Sequence, residues 1–161
     1  MICVKIIKKD NFIFYADVEK TKEYYLSNSV CDCPWCRNLC AQIKDFSPEL
    51  SDFLSEFGVD ICRPDESVDF PEKDRVYYSL VGYTVTGYIE TSGIYKTKIG
   101  DLNIQITNGD SPYYWFPNEQ KEPHFFISVS GITLPWVLDE PIPDEERFID
   151  KIIRFFKKKA N

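Results

Sequence analysis

The sequence predicts an α+β fold, an antiparallel sheet drawn mostly from the second half of the chain and covered by two short helices and a C-terminal helix. Three patterns carry that prediction. Tyr77, Val81, Tyr83, Val85 and Ile89 alternate as one strand face, Cys36, Leu39, Cys40 and Ile43 recur at helical spacing, and Gly100-Asp101 and Asn108-Gly109 are tight-turn signals. Taken in order, ICVKII and NFIFYADV read as two strands around the polar break at residues 8–11, a hairpin connection. A polar stretch leads to the cysteines. Pro34 suits a first helical turn, and Ser47-Pro48 restarts a second helix as N-cap and first helical residue, with Leu50, Phe53, Leu54 and Phe57 as its stripe and Gly58 as its stop. The two helices meet near Phe46.

Residues 63–66 form a turn, after which the chain is strand-like, with Thr84 and Thr86 on the face opposite Tyr83. IYKTKI and LNIQI make a hairpin, and FFISVSGI adds another strand. Beyond Pro141 and Pro143 a last helix carries Asp144, Glu145 and Glu146 in its first turn and three lysines in its last, which suits the helix macrodipole; Phe148, Ile149, Ile152, Ile153 and Phe156 form its expected buried face. No linker or internal repeat divides residues 1–161, so a single domain is expected.

The chain has 161 residues, enough to bury roughly 70% of its unfolded surface without a disulfide scaffold. Its N-terminal apolar run is too short for a signal peptide or a membrane span, so a cytoplasmic location and no membrane partner are expected. A net charge of −7 repels phosphate backbones and argues against nucleic acid, leaving a basic protein as the expected partner. Oligomeric state is not legible.

In a reducing compartment the six cysteines read as core residues, metal ligands or reactive thiols. Zinc prefers four tetrahedral ligands, and Cys31, Cys33, Cys36 and Cys40 are close in sequence. With a helix from Pro34, however, Cys40 stands about 10 Å along the axis from Cys33, at about 1.5 Å per residue. A metal site is therefore expected from Cys31, Cys33 and Cys36, with Cys62, Cys3 or His124 as candidate fourth ligand. The competing reading makes Cys36 and Cys40 small buried hydrophobes of the helix stripe. A third makes Cys33, at a helix N-terminus, a reactive thiol that lacks an obvious base. Arg37 and Asn38 fall off the stripe and should face outward or cap backbone groups, with Asp32 as a carboxylate for Arg37.

The string CDCPWCRN resembles a CxCxxCRN element of small uncharacterised bacterial proteins, some of the kind found near toxin and immunity loci. The resemblance covers residues 31 to about 66. It implies a cytosolic bacterial protein of unassigned activity, carries no catalytic residues over, and leaves the strand-rich half unmatched.

Tyr113, Tyr114 and Trp115 head an aromatic stretch that either lines a binding groove or packs into the core. His124 is the sole histidine, which excludes two-histidine metal sites; no nucleophile elbow, P-loop or dinucleotide fingerprint is present. Asp139, Glu140, Asp144, Glu145 and Glu146 form a carboxylate cluster suited to a cation or to plain solvation. The leading functional expectation is a non-catalytic binding or inhibitor protein of the immunity type, with no cofactor beyond zinc. A zinc-stabilised protein using Cys31, Cys33 and Cys36, and a thiol enzyme using Cys33, remain open alternatives.

Overall fold

A computed structural model of the chain describes residues 4–111, 120–143, 152–154 and 156–157. The described residues form an α+β fold: β1 (Val4–Lys9), β2 (Phe12–Asp17), α1 (Val18–Ser27), α2 (Pro34–Phe46), α3 (Pro48–Ser55), β3 (Glu66–Glu72), β4 (Arg75–Ile89), β5 (Tyr95–Ile99), β6 (Leu102–Asn108), β7 (His124–Ser130) and β8 (Ile132–Pro135). The strands run β1-β2-β4-β7-β6-β5, with β3 and β8 also paired to β4, and every pairing is antiparallel. None of the described helices is long and apolar enough to cross a membrane.

β4 is the spine. One of its edges carries β3 over residues 75–82 and then β2 over residues 87–89; the other carries β8 and then β7. Gly87 permits the change from β3 to β2, because a Cβ there would meet the Tyr15 carbonyl oxygen at 1.9 Å. Its φ of +139° also suits glycine alone. The alternation along β4 departs from a single expected face. Asp69 pairs with Tyr78 and Val68 with Leu80, so Ser79 is an extra residue, a bulge that shifts the parity. Val76 and Tyr78 are therefore buried with Val81, Tyr83 and Val85, while Tyr77, expected on that face, is half-buried on the other.

Between β3 and β2 the β4 edge has no strand partner, and α1 fills the gap. The Tyr25 hydroxyl accepts from the Thr84 N–H at 2.8 Å and donates to the Thr84 carbonyl at 3.0 Å. The Thr21 hydroxyl accepts from the Thr86 N–H at 3.0 Å and donates to the Asp17 carbonyl at 2.8 Å. Burial, with the Asp65 carboxylate alongside, pushes the Tyr25 phenol well above its ordinary range, so it remains the neutral group that this double role requires. Asp65 itself accepts from Tyr24 and from Thr84, each at 2.6 Å. The polar stretch after β2 is thus a helix. Asp17 caps it by accepting from the Lys20 N–H at 3.0 Å.

α2 and α3 supply the opposite wall of the core. Leu39 and Ile43 of α2, and Leu50 and Leu54 of α3, have no exposed surface. Phe57, just beyond α3, meets Phe14 and Phe125 edge-on at 5.8 and 6.0 Å. Three fully buried rings of this kind contribute on the order of 2 kcal/mol each. Ser47 accepts from the Leu50 N–H as expected of an N-cap, and Gly58 takes a φ of +81° where the chain passes against Val18.

The C-terminal helix is described only at residues 152–154 and 156–157, which are helical; Phe148 and Ile149 lie outside the described residues. Of its expected buried face, Ile152 is half-buried, but Ile153 and Phe156 are exposed at 44% and 57%. An apolar stripe selects a face, whereas burial also needs a counter-face to receive it.

Replacing Tyr25 by Phe leaves the Thr84 N–H and carbonyl buried without a partner. Urea unfolding is expected to show a loss of about 2–3 kcal/mol; a loss below about 0.5 kcal/mol would mean that α1 does not complete the β4 edge.

Candidate metal centre

Cys33 is the N-cap of α2, and Pro34 takes the first helical position, where its missing N–H costs nothing. Cys33 makes no side-chain capping hydrogen bond, so its sulfur is not engaged by the first-turn N–H groups. Cys31 precedes it in the irregular segment 29–33, and Cys36 follows one turn into the helix. This brings the Sγ atoms of Cys31, Cys33 and Cys36 within 4.8 Å of one another. Sulfurs bonded to tetrahedral zinc at about 2.3 Å stand about 3.8 Å apart, so the trio needs a contraction of about 1 Å at most. Cys31 is exposed, Cys33 half-buried and Cys36 buried, which leaves a path for an ion from the Cys31 side.

Cys36 bears the consequence of this crowding. Hydrogen bonding with Cys31 and Cys33, then burial, pushes the Cys36 thiol far above its ordinary range. A cation that accepts three thiolates would displace the protons and neutralise the charge that burial disfavours, which is the chemistry of thiolate metal sites.

The helix that carries Cys36 is seated by its neighbours in the CRN string. Asn38 was expected to face outward or to cap backbone groups; it is fully buried and does the second. Its amide nitrogen donates to the Pro135 carbonyl at 3.1 Å and to the Tyr78 hydroxyl at 3.2 Å, and its oxygen accepts from the Val137 N–H at 2.9 Å. Tyr78 in turn donates to the Trp35 carbonyl at 2.8 Å. Trp35, absent from the predicted stripe, packs edge-on against Trp136 at 5.6 Å. Arg37 pairs with Glu140, and its Nε donates to the Asp32 carbonyl at 3.2 Å while lying 3.6 Å from the Asp32 carboxylate. These are exposed pairs worth at most about 1 kcal/mol each.

The other candidates separate. Cys40 is half-buried rather than a core hydrophobe, because its place at the edge of the stripe turns it toward Cys62, and the two stand outside the sulfur trio. His124 lies at the start of β7, its Nδ1 2.6 Å from the Glu122 carbonyl, and does not join the trio either. Cys3, the aromatic residues Tyr113, Tyr114 and Trp115, and the carboxylates Asp144, Glu145 and Glu146 lie outside the described residues. Of the acidic cluster Glu140 is engaged by Arg37. Among the described residues no histidine or carboxylate joins the group that the three sulfurs form. Asn38 and Trp35 were the functional-neighbourhood residues hardest to see; the only signal was an amide and an indole set beside the cysteine stripe, at the helix end nearest a capping problem.

Comparison with family models, with curated proteins and with solved structures finds no match for this chain.

Asn38→Ala leaves the Val137 N–H without its acceptor and takes one donor from the Tyr78 hydroxyl and from the Pro135 carbonyl, which keeps Gln42 Nε2 at 2.9 Å. It is expected to cost about 2 kcal/mol in chemical denaturation; an unchanged midpoint would show that α2 is seated without the amide.

Proposed function

We propose that the chain is a non-catalytic, zinc-stabilised protein in which Cys31, Cys33 and Cys36 hold the metal and fasten the segment 29–33 to the start of α2. The observation that carries this reading is the convergence of three sulfur atoms within 4.8 Å at an uncapped helix N-terminus. Thiolates are soft ligands that select zinc over calcium or magnesium. Three protein sulfurs leave one tetrahedral position, which a water or a ligand group from outside the described residues completes. The metal acts here through folding: it converts three clustered thiols into a cross-link between an irregular segment and a helix.

Elemental analysis of protein purified without chelator is expected to find about one zinc per chain. Saturating zinc, a thousandfold above its dissociation constant, is expected to add about 4 kcal/mol to unfolding, with Cys36→Ser removing both the metal and the gain. A metal-free protein whose melt ignores both zinc and strong chelator would remove the reading.

A further inference from the structure

Cys40 and Cys62 lie outside the sulfur trio but meet each other. The Cys40 thiol donates to the Cys62 carbonyl at 2.8 Å, and the Cys62 thiol lies 3.7 Å from the Cys40 carbonyl, a reciprocal arrangement between residues 22 positions apart. Cysteines serving only as core hydrophobes turn their sulfur into apolar surroundings; these two face polar atoms and each other. Both are half-buried, so a small reagent can reach them.

The backbone around the pair is held on both sides. The Cys62 N–H donates to the Asp60 carboxylate at 2.9 Å, and the Arg63 N–H to the Asp60 carbonyl at 3.0 Å. Lys44, one turn beyond Cys40 on α2, lies 3.9 Å from the same Asp60 carboxylate. The Ile61 carbonyl accepts from the buried Tyr83 hydroxyl at 2.8 Å, which ties the segment to β4. The two neighbouring thiols are therefore presented by elements held in place on both sides.

We propose that Cys40 and Cys62 are a redox modification site, a dithiol that a small-molecule disulfide oxidises to a bond joining α2 to the segment after α3. One cysteine, as thiolate, attacks the small disulfide and expels one of its halves as a thiol; the second cysteine then attacks the mixed disulfide and expels the other half. The protein loses two electrons and two protons, and the small disulfide gains them as two thiols. The closed loop contains the Ser47 junction and all of α3, so the bond staples the two helices of the core wall. Burial pushes the Cys40 thiol up to about 12 and raises that of Cys62 as well, so closure is slow beside that of an exposed thiol.

The test uses the zinc-loaded full chain incubated with oxidised glutathione, quenched by alkylation and mapped by mass spectrometry. The expected product is a Cys40–Cys62 cross-link, with an intact mass lower by two hydrogens, a raised melting temperature, and full reversal by dithiothreitol. In Cys62→Ser the cross-link is lost, and Cys40 is trapped as the glutathione adduct. Alkylation of both Cys40 and Cys62 after prolonged oxidation, or bonding of either to another cysteine, would overturn the assignment. Because the readout is this cross-link and not metal content, its failure is distinguishable from failure of the zinc site.

Discussion

A strand of fifteen residues, β4, presents backbone donors and acceptors along two edges, and nearly every one in the interior must find a partner. The rest of the molecule is arranged around that requirement. β3 and β2 serve one edge, β8 and β7 the other, and where β3 has ended and β2 has not begun, Tyr25 and Thr21 of α1 supply hydroxyls in place of a strand. The same accounting recurs beyond β8, where the chain leaves the ladder at Pro135. There Asn38 of α2 takes the Pro135 carbonyl and the Val137 N–H. An apolar side chain in place of Tyr25 would fill space but leave the buried polar atoms of Thr84 unmatched, at about 1–3 kcal/mol for each.

This seating of α2 decides where the sulfur goes. With Leu39 and Ile43 buried in the core and Asn38 bound at the end of the sheet, the helix has little freedom to rotate, and Cys36 is brought back toward Cys33 and Cys31. The exposed Arg37 pairs beside the segment that bears Cys31 are worth at most about 1 kcal/mol each. A thiolate zinc site is worth on the order of 10 kcal/mol. On magnitude alone, the metal would dominate the order of this segment, and the ion pairs would refine it.

The coarse architecture was legible because it rests on local signals. Pro34, the Ser47-Pro48 restart and the Gly100-Asp101 turn each act through their own backbone, and all three stand where expected. The cysteine grouping was legible for a similar reason: helix rise separates Cys40 from Cys33 whatever the rest of the chain does. What escaped was non-local. α1 is poorly amphipathic and rich in charge, and its formation is rewarded by an unpaired strand edge contributed from more than fifty residues away. The bulge at Ser79 reverses a parity that the alternation of Tyr77 and Val81 had suggested, and only pairing with β3 produces it. Asn38 and the Cys40–Cys62 contact depend on chain segments distant in sequence, and a helical wheel contains no information about either.

X-ray absorption at the zinc edge of the purified protein is the most direct measurement of the proposed centre. Three sulfur atoms at about 2.3 Å with one lighter neighbour, falling to two sulfurs in Cys31→Ser, is the result that three convergent thiolates predict. A shell of nitrogen and oxygen alone would contradict it, because zinc would then be bound elsewhere and the sulfur trio would be only a consequence of how α2 is seated.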